Sequence, residues 1–204
     1  MEFKIDKLPQ DFNTSIQFME RRVHSIIEQT EGELAWILNS PAISTCGAHE
    51  NKNDLLDNTK FPIFKTNRGG KYTYHGPGQK VIYFVLDLNK RGKNIRKLIN
   101  NIENCIIEVL NEYNIKSYPD RKNIGIWVDD KNKSKKIAAI GIKVKKWVAY
   151  HGFSLNISND LNKYNYIIPC GIKDREVTSL KVLGIKNYSD IEKIIIKKFL
   201  NIFH

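Results

Sequence analysis

The stretch RGGKYTYHGPGQKVIYFVLDL, residues 68–88, decides the fold of this chain. Its first part, 68–79, is polar and rich in glycine, and 81–86 is a continuous run of β-branched, aromatic and aliphatic residues typical of a buried strand. Glycine has no Cβ, so a glycine-rich backbone approaches a ligand closely. An ordinary turn explains the glycines but not the arginine, threonine, tyrosine and histidine among them. The stretch therefore predicts a central strand preceded by a binding segment.

The spacing of apolar residues elsewhere predicts the remaining elements. Apolar residues at helical intervals indicate amphipathic helices at 12–27, 95–113 and 191–202. Short apolar or alternating runs indicate strands at 34–38, 61–65, 124–128, 137–144 and 147–155, with a loop at 129–134. The polar segment 47–60 is predicted to be a surface loop. Because no repeat or linker appears, we expect one α/β (α+β) domain over residues 1–204, a mixed β-sheet flanked by helices.

The composition indicates how large a hydrophobic core the chain is able to form and which charge its partners carry. With 204 residues and 41% hydrophobic content, the chain is able to bury one full core. Thirty-three Lys and Arg against 22 Asp and Glu give a net charge of +11, which favours nucleic acid, anionic membranes or acidic proteins as partners. Much of the lysine excess accompanies Asn and Ile, which is typical of a proteome-wide bias. Since the sequence has no RNP, KH or helix-turn-helix pattern typical of nucleic-acid-binding proteins, we expect no nucleic-acid partner.

Cysteine usage and apolar run lengths indicate the compartment. Cys46, Cys105 and Cys170 are odd in number and have no CxxC spacing, so neither a disulfide framework nor a zinc site is predicted. The N-terminal residues lack an apolar stretch of signal-peptide length, and no apolar run is long enough to cross a bilayer. We expect a soluble, cytoplasmic protein with reduced thiols, no bound metal and no membrane partner.

Cys170 is the candidate nucleophile. It lies in Pro169-Cys170-Gly171-Ile172, a setting in which a turn presents the thiol at a surface. A lone cysteine is more often a small buried hydrophobe. That interpretation applies to Cys105, which falls within a predicted helix, whereas Cys46 falls in a predicted loop and is given no role.

Lys136 is the candidate cation beside that thiol. A free thiol with a pKa of about 8.5 is mostly protonated at neutral pH, so a thiolate needs a positive group nearby. Lys136 begins an apolar, β-prone segment that is able to carry an ammonium into a site. The alternative is a solvated basic loop, because further lysines lie at positions 131, 133 and 135. A second His-Gly pair, within 151–154, either lines the same pocket or is structural.

Several segments of the chain together resemble the lipoyl(octanoyl) transferase family. The segment 68–79 matches the family pattern of RGG, two variable residues and then TYHGPGQ. Further segments resemble the other family signatures in the same order: KKIAAIGIKV at 135–144, WVAYHGFSLNI at 147–157, IIPCGI at 167–172 and VTSL at 177–180. The similarity spans nearly the whole chain.

The resemblance implies an acyltransferase with the fold of the catalytic domain of biotin and lipoate protein ligases. Such an enzyme takes an octanoyl group from octanoyl-acyl carrier protein and places it on a specific lysine of a lipoyl domain. The implied acceptors are the lipoyl domains of 2-oxoacid dehydrogenase complexes and the glycine cleavage H protein. No nucleotide or other cofactor is implied. Two alternatives stay open: an ATP-dependent lipoate or octanoate ligase of the same fold, and a basic nucleic-acid-binding module.

The resemblance also implies roles for individual residues. Cys170 corresponds to the cysteine that forms the acyl-thioester, and Lys136 corresponds to the lysine that lowers the pKa of that cysteine. The implied acyl-binding wall consists of Arg68, Gly69, Gly70, Lys71, Tyr72, Thr73, Tyr74, His75, Ala139, Ile140, Gly141, Gly152, Phe153 and Ser154.

Overall fold

A mixed β-sheet runs through the computed structural model, which describes residues 1–168 and 176–203. The strands in these ranges are β1 (Glu2–Pro9), β2 (Leu34–Asn39), β3 (Ile43–Cys46), β4 (Ile63–Lys65), β5 (Tyr72–His75), β6 (Gln79–Asp87), β7 (Tyr118–Pro119), β8 (Ile126–Asp130), β9 (Lys133–Lys145), β10 (Val148–Asn156) and β11 (Glu176–Val177). The helices are α1 (Phe12–Ile27), α2 (Ile95–Asn111) and α3 (Ile191–Phe203).

The strands form two sheets. The large sheet has the order β1-β2-β6-β10-β9-β8-β7, with β11 beside β9, and the small sheet has the order β4-β3-β5. The pairs β1–β2, β9–β11 and β3–β4 are parallel, whereas the other pairs are antiparallel. Both sheets are therefore mixed, as the sequence predicts for the main sheet.

Alternation along β6 explains how one strand contributes to two apolar cores. Ile82 and Phe84 pack in the cluster that contains the apolar residues of α2 and α3. Tyr83 and Val85 pack in a second cluster with residues of α1. Successive side chains of a strand point to opposite faces, so a strand covered on both faces has a continuous apolar sequence. This is the run that the sequence shows after the glycine-rich segment.

The helices and six of the strands lie where the apolar patterns predict them, but the edge strand β1 and four short strands do not. The sequence patterns do not predict β1, β3, β5, β7 or β11. β1 is an edge strand with mostly exposed or half-exposed residues, so it lacks a continuous apolar run. Cys46 ends β3 and is buried, so its assignment to a loop is wrong. Among the described residues, no helix has both the length and the apolar character needed to span a bilayer.

The two hairpins of β8, β9 and β10 both have two-residue turns. Lys131 and Asn132 have φ of 49° and 63°, and Lys146 and Trp147 have φ of 48° and 63°. Two consecutive residues with positive φ are typical of a type I′ turn, whose twist matches that of the flanking strands. The predicted loop at 129–134 therefore shortens to two residues, since Asp130 already pairs with Lys133.

Candidate active site

A cleft lies where the small sheet meets the middle strands of the large sheet. Its free space is about 550 Å³ when the open solvent at its mouth is included. The 66–71 segment, β3 and β5 contribute residues on one side, and β6, β9 and β10 contribute residues on the other. The described lining consists of Phe12, Thr45, Thr66, Arg68, Gly70, Lys71, Tyr72, Thr73, His75, Val81, Tyr83, Ala139, Ile140, Gly141, His151, Gly152, Phe153 and Ser154.

Most of the predicted acyl-binding residues line this cleft, but the structure places Gly69 and Tyr74 outside its lining. The Gly69 N–H donates to Ile142 O at 2.9 Å, which ties the loop to β9. Tyr74 packs against Tyr164, their ring centres 5.6 Å apart, in a separate apolar cluster. Tyr74 alternates with Thr73 and His75 along β5, so its side chain points to the opposite face of the strand from theirs.

Some lining residues were not among the predicted acyl-binding residues. They are Phe12, Thr45, Thr66, Val81, Tyr83 and, beyond its mention as an alternative, His151. The alternation of β6 predicts that Val81 and Tyr83 share a face, although not what that face meets. Phe12 and Thr45 come from segments distant in sequence, so only the tertiary structure brings them to the cleft.

Arg68 fixes one edge of the cleft. Its guanidinium donates to the carbonyl oxygen of Thr45 at 3.0 Å, to the Thr45 hydroxyl at 2.8 Å and to the carbonyl oxygen of Lys71 at 3.0 Å. A Cβ at Gly141 would lie 3.0 Å from Arg68 Cδ and 3.3 Å from Gly69 O. A glycine at this position of β9 therefore leaves room for the arginine, which places a positive charge at the cleft.

Two histidines of the cleft are held neutral. Burial lowers the pKa of His75 to about 4, with the Arg68 charge acting in the same direction and a hydrogen bond to Gln79 acting against it. Burial, followed by the charges of Arg68 and Lys143, lowers the pKa of His151 to about 3. Both imidazoles are therefore uncharged at neutral pH.

These two histidines should make the fold acid-sensitive. Unfolded imidazoles take up a proton near pH 6.5, whereas folded His75 and His151 do so only near pH 4 and pH 3. The unfolded state thus binds more protons below pH 6.5, and stability falls as the pH falls from there. The free energy of unfolding should drop by on the order of 5 kcal/mol between pH 7 and pH 4.5 from the two together. Urea unfolding at the two pH values measures this change.

His151→Asn is the variant that isolates one histidine. His151 has a φ of 68°, and asparagine is among the residues that tolerate this left-handed region. The surface carboxylates that also titrate in acid are shared with the parent protein, so the difference between the two reports His151. In this variant, the decrease in the free energy of unfolding that we assign to the two histidines between pH 7 and pH 4.5 should be about half as large. An identical pH dependence in both proteins would contradict this account.

Lys136 is buried beside the cleft, so its interpretation as part of a solvated loop is wrong. It is 5% exposed, its Nζ donates to Ile124 O at 2.9 Å, and Nζ lies 5.0 Å from the centre of the Trp127 ring. A smaller cavity of about 260 Å³, counted to its opening, borders this lysine. It shares three lining residues with the cleft: Thr73, Ala139 and Ser154.

The backbone next to Lys136 accommodates its side chain. The pairing of β8 with β9 shifts register between Ile126 and Trp127, opposite this lysine, and such bulges re-aim side chains. Gly125 has a φ of +138°, and a Cβ there would lie 2.9 Å from Lys136 Cε and 2.6 Å from Ala138 O. A larger residue at this position would collide with the lysine, which explains a glycine next to the predicted cation.

The predicted nucleophile Cys170, with the rest of its Pro-Cys-Gly-Ile motif, lies outside the described residues. The chain on either side is well anchored. The Ile168 N–H donates to Asp54 O at 2.7 Å. On the other side, Val177 pairs with Lys136, and the Thr178 N–H donates to Lys136 O at 2.9 Å. The described chain therefore resumes directly beside the predicted cation.

The fold is that of the lipoate-protein ligases and of the catalytic domain of biotin protein ligase. It is similar to lipoate-protein ligase A solved with ATP, with a TM-score of 0.73 over 100% of this chain and 86% of that chain at 14% identity. It is also similar to biotin protein ligase from Aquifex aeolicus, with a TM-score of 0.53 over 98% of this chain and 66% of that chain at 16% identity. These similarities confirm the fold predicted from the sequence.

Sequence similarity narrows this class to one family. Residues 11–200 match the lipoyl protein ligase A/B catalytic domain. An octanoyltransferase from Ehrlichia chaffeensis is 44% identical over 205 residues, covering 100% of this chain and 96% of that protein. Another, from Wolbachia pipientis subsp. Culex pipiens, is 44% identical over 204 residues, covering 99% of each. The chain belongs to the lipoyl protein ligase A/B catalytic domain family, and the predicted resemblance to octanoyltransferases is confirmed.

Proposed function

We propose that the protein transfers an octanoyl group from octanoyl-acyl carrier protein to a specific lysine of a lipoyl domain, through a thioester on Cys170. The observation that carries the proposal is the buried Lys136 beside a cleft, in a chain whose full length is similar to octanoyltransferases. An ammonium held in this position stabilises an anion that forms next to it, because opposite charges attract more strongly in a protein interior than in water. A cysteine thiolate is such an anion.

In the first half of the reaction, the Cys170 thiolate attacks the carbonyl carbon of the donor thioester. A carbon–sulfur bond to Cys170 forms, and the carbon–sulfur bond to the phosphopantetheine arm breaks. The departing thiolate takes a proton from the Lys136 ammonium, which leaves a neutral amine beside the octanoyl-enzyme. One thioester replaces another of similar energy, so no ATP is required.

In the second half, the amine of the acceptor lysine attacks the Cys170 thioester. A carbon–nitrogen bond forms, the carbon–sulfur bond breaks, and the neutral Lys136 amine accepts the proton that the attacking nitrogen loses. The cycle ends with a thiolate next to an ammonium, which is the state in which it began. Lys136 therefore acts in both halves without net gain or loss of a proton.

The cleft is suited to the saturated chain of the acyl group. Its apolar side chains include Val81, Tyr83, Ile140 and Phe153. Burying methylene groups against such a surface contributes about 0.8 kcal/mol for each one. We assign the Arg68–His75 segment together with β9 and β10 to acyl binding. We further assign the lipoyl domains of 2-oxoacid dehydrogenase complexes and the glycine cleavage H protein as acceptors.

A paired assay should separate this function from ATP-dependent ligation. With octanoyl-acyl carrier protein and a lipoyl domain, the protein should produce octanoyl-lipoyl domain in the absence of ATP. With free octanoate, ATP and the same lipoyl domain, it should release no pyrophosphate and modify no lysine. Pyrophosphate release together with octanoylation from free octanoate would overturn the proposal in favour of a ligase.

A further inference from the structure

We infer that the cleft takes the acceptor lysine as a neutral amine and that Nε2 of His75 accepts a hydrogen bond from it. The inference rests on the proposed function, since the amine is the attacking group of the second half-reaction. It adds a role in amine transfer to the place of His75 in the acyl-binding wall.

A buried hydrogen-bond network selects which nitrogen of His75 carries the proton. Gln79 Nε2 donates to Asn156 Oδ1 at 2.9 Å and to the Tyr164 hydroxyl at 3.0 Å. Gln79 therefore presents its Oε1, an acceptor, to Nδ1 of His75 at 2.7 Å. A neutral imidazole has one N–H, so Nδ1 donates it to Gln79 and Nε2 keeps a lone pair.

That lone pair is available within the cleft. His75 lines the cleft, and among the described residues its Nε2 has no hydrogen-bond partner. Thr73 lies two residues earlier on the same face of β5 and borders both the cleft and the cavity of Lys136. The reacting carbonyl and the alkyl chain carry no N–H or O–H group, whereas an attacking amine carries two N–H bonds.

The electrostatics of the cleft favour the uncharged form of that amine. Its described lining includes Arg68 and Lys71 and contains no carboxylate. Lys71 is paired with Asp54 at 3.1 Å, but the Arg68 charge already lowers the pKa of both cleft histidines. A positive field disfavours an incoming ammonium in the same way. Neutral entry also matches the proton balance, because the Lys136 amine accepts one proton and an ammonium would bring a second.

The step assigned to His75 is therefore one of orientation. One N–H of the amine is held by Nε2, the other proton passes to Lys136, and the nitrogen lone pair faces the thioester carbon. The new carbon–nitrogen bond forms as the Cys170 sulfur leaves. Fixing an attacking atom in this way accelerates a step without changing its products.

Half-reactions measured in the full-length protein test the assignment. His75→Asn places an amide near the position of Nδ1, so it is able to keep the Gln79 contact but lacks an acceptor at the position of Nε2. Formation of octanoyl-enzyme from octanoyl-acyl carrier protein, followed by intact mass, should slow by only about threefold, because the smaller side chain loses some contact with the acyl chain. Transfer from isolated octanoyl-enzyme to the lipoyl domain should slow by about 10- to 100-fold.

Two further variants sharpen the test. His75→Gln places an amide oxygen near the position of Nε2 and should recover part of the transfer rate, which a purely structural role would not explain. His24→Asn makes the same change at an exposed position of α1 and should affect neither half-reaction. Normal transfer in His75→Asn, or loss of both half-reactions in both His75 variants, would overturn the role of His75. Failure of the parent protein to form any octanoyl-enzyme would instead overturn the proposed function.

Discussion

Cys170→Ala should abolish the octanoyl-enzyme and lower transfer to the lipoyl domain by about 10⁴-fold or more, as expected when a covalent nucleophile is removed. Without the thiol, the acceptor amine would have to attack the donor thioester directly, and both large proteins would have to meet at the cleft at once. Intact mass after incubation with octanoyl-acyl carrier protein detects the adduct, and modification of the lipoyl domain measures turnover.

Cys46→Ala is the matched control for this prediction. Cys46 is buried, and burial together with the neighbouring Glu50 raises the pKa of its thiol to about 11. It is therefore a poor nucleophile at neutral pH, and its removal should leave the adduct and the turnover in place. Loss of the adduct in Cys170→Ala with fully retained transfer would exclude the covalent route.

Lys136→Met should raise the pKa of the reactive thiol towards the ordinary value of about 8.5 and slow formation of the octanoyl-enzyme by about 10²- to 10⁴-fold at pH 7. Methionine has nearly the same length and is apolar, so it fits a largely buried position while removing the charge. The thiolate then loses its counterion, and the departing pantetheine thiolate loses its proton source. Both half-reactions should suffer, in contrast to the His75 variants.

The pH dependence of alkylation measures the thiol directly. Burial raises the pKa of Cys105 to about 12, and that of Cys46 is about 11, so neither should react appreciably below pH 9. The rate of iodoacetamide labelling between pH 5 and 9 therefore reports Cys170. Lys131→Met is the matched control, because it removes a lysine from the exposed hairpin turn of the same sheet. An unchanged labelling profile in Lys136→Met would exclude this lysine as the counterion.

The sequence was sufficient to predict the elements whose signals are local. Helical spacing located α1, α2 and α3, and the apolar run after the glycine-rich segment located β6. These elements are recognisable without tertiary information, because burial of one side of a helix or of both sides of a strand produces a characteristic pattern of apolar residues in the sequence. The patterns did not predict β1, because its residues are exposed or half-buried, or β5, because its four buried residues, Tyr-Thr-Tyr-His, are too few and too polar to form an apolar run.

The candidate site was likewise predicted only in part from the sequence. The family motifs supplied the residue types, and the pair Cys170 and Lys136 was chosen from the sequence. The lysine-rich sequence around Lys136 favoured an exposed side chain, but the side chain is buried. The register of β8 with β9 and the absence of a Cβ at Gly125 make room for it. The position of Cys170 relative to this lysine stays a prediction.

Contacts between distant segments were decided by the tertiary structure alone. The Gln79 side chain meets Asn156, 77 positions later in the chain, because β6 pairs with β10 in a register that sets these two residues opposite each other. That contact settles the tautomer of His75 and thereby what the cleft is able to recognise. The local sequence therefore determined the helices and strands of this protein and its reactive residue types. The register between strands decided which of those groups are buried, neutral and close enough to act together.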